Sequence, residues 1–188
     1  AYGALKKCGP LTSHDYLLII GAGGVGLTAL HIANALTEAK VIVVDINADK
    51  RKTASTSGAY ATIDSSKNDA VKKIIEASGG GVAAAIDFVG MPETSRLGID
   101  TLCKTGVHVI VGLYGGAMTI PTVFFPFKQM TIRGSYVGTL SEMSEMMDLV
   151  RDGRIPPIPI TPRPLDEANQ VLDELAKGKI VGRVVLKP

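Results

Sequence analysis

Residues 16–30, YLLIIGAGGVGLTAL, carry a short apolar run into a glycine-rich turn and out again into a helical pattern. No other feature constrains the chain as much. A strand that feeds a helix through glycines spaced G-x-G-x-x-G opens a βαβ unit, which needs a second parallel strand to bring the chain back to the same sheet. KVIVVDI (40–46) supplies that strand, with Asp45 at its end.

Strand, turn, helix and acidic residue at this spacing, about 20 residues from turn to acid, form a dinucleotide-binding fingerprint. Gly21 permits the tight turn, Gly23 lets the backbone approach a pyrophosphate, and Gly26 lets the helix pack close to the strands. The helix N–H groups near Val25 complement an anion. Asp45 can accept hydrogen bonds from both ribose hydroxyls and repels a 2′-phosphate, so NAD is preferred over NADP. A glycine turn of purely structural use is the alternative, and the combined context weighs against it.

The alternation continues along the chain. NADKRKTASTSG (47–58) reads as a helix begun by Asn47 and closed by Gly58, YATI (60–63) as a brief strand, NDAVKKIIEAS (68–78) as a helix and VAAAIDFV (82–89) as a strand. PETSRLGIDTLC (92–103) has proline in its first helical turn, and GVHVIVGLY (106–114) and MTIRGSYV (130–137) bring the strands to six. Right-handed crossovers then place helices on both faces of a doubly wound parallel sheet.

Beyond it, LSEMSEMMDLVRDG (140–153) and LDEANQVLDELAKG (165–178) read as helices, and IVGRVVLKP as a last strand. The prolines of the intervening RIPPIPITPRP exclude a central strand or a helix, so it is expected to be an extended connection. GAMTIPTVFFPF (116–127), between the fifth and sixth strands, is too apolar for a free loop. Its MTI is expected to form a short strand that Pro121 confines to an edge, and Val123, Phe124, Phe125 and Phe127 would otherwise face water.

With 188 residues, 46% of them hydrophobic and 20% charged, the chain can bury a proper core and is neither disordered nor collagen-like. Lys and Arg number 20 against 18 Asp and Glu, scattered rather than striped, so no nucleic-acid footprint is visible. No apolar run approaches a membrane span and no charged-then-apolar leader is seen, which makes a soluble, cytoplasmic protein the expectation. Cys8 and Cys103, far apart, read as free thiols, and His14, His31 and His108 have no second metal ligand at useful spacing. The chain begins at Ala1 with AYGALKKC, which reads as a helix body without an N-cap, and it is expected to be a fragment.

GAGGVGL, VIVVDINADKR, GGGVAAAIDFVGMPET, VIVGLYGG, MTIRGSYVGT and GKIVGRVVLKP, in this order and spacing, resemble the zinc-dependent medium-chain alcohol dehydrogenases over essentially the whole chain. VGLYGG and IRGSYVGT look most like the microbial members. Ala83 departs from the family, which often has an acidic residue there.

The resemblance implies an α/β fold, a Rossmann-type doubly wound six-stranded parallel sheet with helices on both faces. It implies a domain over residues 1–137 that binds NAD, and a C-terminal segment, 138–188, that packs against an N-terminal catalytic domain absent from this chain. Gly21, Gly23, Gly24, Val25 and Gly26 would bind the pyrophosphate, and Asp45 and Lys50 the adenosine ribose. Ile46 and Val89 would sandwich the adenine, while Val111, Gly112 and Leu113 would line the nicotinamide end. Ser135, Tyr136 and Val137 would offer backbone partners to the carboxamide, and Arg183 would pair with the phosphates. The apolar members of this set could equally be core, and Lys50 and Arg183 solvated surface charges.

The family's zinc ligands lie upstream of AYGAL, so no catalytic residue and no metal ligand falls in this chain. The implied activity is hydride transfer between an alcohol or carbonyl substrate and NAD, with zinc bound elsewhere in the full-length enzyme and this chain inactive alone. Two rivals stay open: a zinc-free NADPH quinone reductase of the same superfamily, against which Asp45 speaks, and a non-enzymatic NAD-sensing domain on the same fold. A homodimer or homotetramer formed through the 116–127 edge is expected, as are no nucleic-acid and no membrane partners.

Overall fold

A computed structural model describes residues 1–188. Six strands form one parallel sheet: β1 (Tyr16–Ile20), β2 (Lys40–Asp45), β3 (Ala61–Asp64), β4 (Val82–Asp87), β5 (Leu102–Ile110) and β6 (Thr131–Gly134). Their spatial order is β3-β2-β1-β4-β5-β6, the Rossmann arrangement in which the chain winds outward in both directions from β1. The break between β1 and β4 leaves a crevice at the carboxyl ends of the strands. The expected fold class is therefore observed.

The central strands read as continuous apolar runs because both of their faces are covered. Leu17, Leu18 and Ile19 are fully buried. Alternate residues serve opposite sides. Leu17 and Ile19 join Val41, Val43, Leu27 and Leu30 in one core, while Leu18 and Ile20 join Ile42, Val44, Ile74 and Ile99 in the other. The first core is roofed by α1 (Tyr2–Lys6), α2 (Gly24–Leu36) and α3 (Ala48–Thr56), the second by α4 (Ala70–Ala77) and α5 (Pro92–Thr101).

After β5, residues 111–123 are irregular and end in the short α6 (Phe124–Lys128). Lys128 fixes this excursion, since its ammonium donates to the carbonyls of Ile99, Asp100 and Leu102 where α5 ends. The expected strand at Met118–Ile120 is not formed within the chain, because no neighbouring strand offers it a ladder; α6 accommodates Pro126 in its first turn. Val123, Phe125 and Phe127 are exposed, whereas Phe124 stacks under the Arg96 guanidinium.

The tail comprises α7 (Leu140–Arg151), β7 (Ile160–Pro164), a 3₁₀ turn (Leu165–Glu167), α8 (Ala168–Ala176) and β8 (Arg183–Lys187). The proline-rich bridge is not merely extended. Its last five residues pair in parallel with β8, from Ile160 opposite Arg183 to Pro164 opposite Lys187. A two-stranded ribbon has only edges, so Pro162 and Pro164 need no N–H on their outer side. β5 also starts earlier than its alternation suggests, at Leu102, because a register break between Val82 and Ala84 absorbs the extra residues around Thr105.

Candidate functional site

The turn between β1 and α2 is the most constrained backbone in the chain. Gly21 has φ +92°, a left-handed conformation open chiefly to glycine, and its amide donates to the Val44 carbonyl. A Cβ on Gly26 would fall inside contact distance of the Gly21 carbonyl oxygen, so α2 can start this close to β1 only with glycine there. Gly23, by contrast, has no atom within 4 Å of where its Cβ would be. The space above it is free for a ligand.

The amides of Gly23, Gly24, Val25 and Gly26 make no hydrogen bond within the chain; the first helical bond runs from the Leu27 amide to the Gly23 carbonyl. Unpaired donors at the start of a thirteen-residue helix form an anion cradle. The Arg183 side chain lies against Gly24, its Nε 2.5 Å and its Cδ 2.9 Å from where a Cβ would stand. The strand β8 thus brings a guanidinium to the same cradle from a distant part of the sequence.

At the end of β2, the Asp45 carboxylate accepts the Ala22 amide on Oδ2 and the Asn47 amide on Oδ1, both at 2.8 Å. Asp45 is therefore tied to the glycine turn and keeps a spare lone pair on each oxygen for a ligand hydroxyl. The Asn47 side chain caps α3 by accepting from Asp49 and Lys50 amides. Lys50 is half-buried, and Ile46 is exposed.

The turns after β4 and β5 form the opposite wall. Val89 packs in the second core with Cγ2 2.9 Å from the position of a Gly21 Cβ, so it backs the turn. Gly112 lies against the Val89–Gly90 peptide too closely for any Cβ. Sequence reasoning assigned no role to the residue that holds this wall. Asp87, fully buried, accepts the Val89 and Gly90 amides on Oδ1 and the Thr94 and Ser95 hydroxyls on Oδ2, at 2.8–2.9 Å. An acidic residue ending an apolar strand, in AIDFVG, was the available signal.

A cavity of about 630 Å³ opens beside the helix start. Val25, Val111, Ser135 and Val137 line it together with Thr139 and Met143. The structure thus brings together residues expected at the pyrophosphate, the nicotinamide and the carboxamide. Leu113 and Tyr136 do not line it and are exposed.

Ser135 is held by the Lys7 ammonium, which donates to its Oγ at 2.9 Å, and its own amide donates to the Ile110 carbonyl. Val137 has φ +45°, a conformation that costs a β-branched residue about 1–2 kcal/mol. The amides of Tyr136, Val137 and Gly138 make no hydrogen bond within the chain. α7 then starts from a capping box between Thr139 and Glu142.

Both thiols are held toward the protonated form. Burial pushes Cys8 up to about 12 and also raises Cys103. No group of three or more His, Cys, Asp or Glu side chains is placed to hold a metal ion, and no helix is long and apolar enough to cross a membrane.

The family model described as zinc-binding dehydrogenase matches residues 24–152. An alcohol dehydrogenase of Geobacillus stearothermophilus is 36% identical over 186 residues, covering 99% of this chain and 54% of the relative. An NAD-dependent alcohol dehydrogenase of Sulfurisphaera tokodaii is 33% identical, covering 100% of this chain and 54% of the relative. Among solved structures, an alcohol dehydrogenase from Aeropyrum pernix superposes with a TM-score of 0.92 at 34% identity, over 100% of this chain and 54% of that one. Acetophenone reductase from Geotrichum candidum, solved with NAD, gives 0.87 at 28% identity, over 100% and 52%. The chain spans about half the length of the curated relatives it matches.

Proposed function

The chain belongs to the zinc-binding dehydrogenase family, and from that membership we propose that it is the cofactor-binding portion of an NAD-dependent alcohol dehydrogenase. The observation that carries the reading is the unpaired amide cradle of Gly23 to Gly26, with Arg183 on one side and the Asp45 carboxylate at the end of β2.

These residues fit a dinucleotide. The cradle and Arg183 would hold the pyrophosphate. Asp45 would accept the ribose hydroxyls, with Lys50 beside it and Ile46 and Val89 bordering the adenine. Val111, Gly112 and Leu113 would form the wall at the nicotinamide end, and the free amides after Ser135 would orient its carboxamide. When bound, the nicotinamide supplies the hydride acceptor for alcohol oxidation. This chain's contribution is to orient the ring and to exclude water from it on the strand-end side.

On this proposal the zinc and most of the pocket for the alcohol or carbonyl substrate would be supplied by the catalytic domain of the whole enzyme. On this reading, residues 1–137 are the nucleotide domain and 138–188 a segment that packs on a catalytic domain, supported by the exposure of Leu140, Leu172 and Leu175. The same reading makes the protein cytoplasmic and homo-oligomeric. The exposed Val123, Phe125 and Phe127 support self-association through 116–127.

Calorimetric titration of the chain with NAD and NADP tests the proposal. Asp45→Gly should weaken NAD about tenfold and lift NADP relative to it, as acceptor and repulsive charge leave together. Unchanged discrimination would refute the role given to Asp45.

A further inference from the structure

We infer that Asp64 is a specificity-determining residue, which engages the Arg51 guanidinium and thereby denies a partner to a 2′-phosphate at the ribose end of the site. This rests on the reading of Asp45 as the ribose acceptor. Asp45 and Asp64 end adjacent strands as register partners, so two carboxylates stand side by side there. Arg51, on α3, lies between them. Its Nη1 donates to the Asp45 backbone carbonyl at 2.8 Å, and its Nη2 is 3.3 Å from Asp64 Oδ2. The two side chains are only 19% and 25% exposed, which limits screening.

Asp64 is itself fixed. Its Oδ1 accepts the Ser66 amide at 3.0 Å and the Ser66 hydroxyl at 2.6 Å, and chiefly these bonds hold its carboxyl below the usual range. It remains ionised and aimed at Arg51. The Asp45 carboxylate takes its donors from Ala22 and Asn47 and none from Arg51. The guanidinium is thus bonded through Nη1 to the residue expected to hold the ribose, while its Nη2 faces Asp64.

A guanidinium is the side chain best matched to a phosphate, and an arginine near the ribose is how a dinucleotide fold accommodates the 2′-phosphate. Neutralising Asp64 leaves Arg51 on the Asp45 carbonyl with donors free for such a group. Arg51 therefore carries a latent affinity for NADP, which Asp64 suppresses alongside the direct repulsion from Asp45.

The test is calorimetric titration of the 188-residue chain and its variants with NAD and NADP. Asp64→Asn, which keeps an oxygen for Ser66, should lower the ratio of the NADP to the NAD dissociation constant about fivefold, the scale of one partly screened ion pair. Asp64→Ser should move the ratio the same way, so a folding defect peculiar to one variant does not decide the matter. Adding Arg51→Gln should abolish the gain. A gain that survives Arg51→Gln would mean that Asp64 acts only through its own charge, and would overturn the inference. So would an unchanged ratio in both Asp64 variants while wild type prefers NAD. If wild type shows no preference for NAD, the Asp45 reading fails first.

Discussion

The β1–α2 region and the tail from α7 to β8 contain similar apolar residues and treat them oppositely. In β1, Leu17, Leu18 and Ile19 are fully buried. In α7 no residue is buried, and in α8 only Val171 is, while Leu140, Leu172 and Leu175 are 87%, 61% and 58% exposed. A leucine's burial is thus a property of position rather than of residue type. β1 sits mid-sheet with helices on both sides, whereas β7 and β8 form a ribbon with no sheet beside it. The first region is closed on both faces, with Met146, Leu149, Ile155 and Ile158 of the tail helping to cover one of them. The second presents an apolar surface suited to a further structure.

The sharpest way to break this contrast is inside the turn itself. Gly26→Val puts a branched side chain onto the Gly21 carbonyl, where backbone must yield, and should cost about 5 kcal/mol or more by urea denaturation. A variant of near-native stability would show that α2 is free to slide on the sheet.

A matched pair of truncations measures the two regions directly. Ile19→Ala, in the fully buried strand, should cost about 3 kcal/mol, and Leu172→Ala, on the exposed helix, no more than about 0.5 kcal/mol. Equal losses would contradict the division between a packed sheet and an uncovered tail.

Next in size is a pH effect at the sheet. His108 on β5 is fully buried, packed against Gly98 of α5, and neither ring nitrogen has a hydrogen-bond partner. Burial lowers its pKa below the ordinary value, with Asp87 opposing the shift. The folded protein then binds this proton less well than the unfolded chain. Stability from this residue is present above about pH 6.5 and is lost as pH falls, by at most about 1.4 kcal/mol per pH unit until the folded-state value is reached. His108→Leu should flatten the urea midpoint between pH 6.5 and 5; parallel curves for mutant and wild type would exclude His108 as the source.

Gly23→Val, three residues from Gly26, should disturb stability far less than Gly26→Val, because no atom lies within 4 Å of the new Cβ. We expect a loss of about 1 kcal/mol or less by the same denaturation, and abolished NAD binding by calorimetry. Normal NAD binding would place the pyrophosphate elsewhere.

Much of this was legible in the sequence. The order of strands and helices follows from period and from caps such as Asn47, and the cradle from glycine spacing and the placement of Asp45. Those signals are local: backbone conformations and alternations that neighbouring residues impose within a few positions. Contacts between distant segments left no such trace. That a proline-rich bridge would become β7 depended on β8 lying beside it, since a strand needs a partner to satisfy its backbone. Met118–Ile120 has no ladder within the single chain for the converse reason, since no strand lies beside it there.

The same division runs through the site. The sequence by itself determined that a helix would begin at Gly24 with unpaired amides, and that an acidic residue would end the second strand. Only the tertiary structure decided that Arg183 would lie on Gly24, that Asp45 would clasp the Ala22 amide, and that Arg51 would be held by Asp64. Local conformation is written in short-range sterics and hydrogen bonding. Which charges meet is settled by strand order and helix packing, which emerge only when the whole core closes.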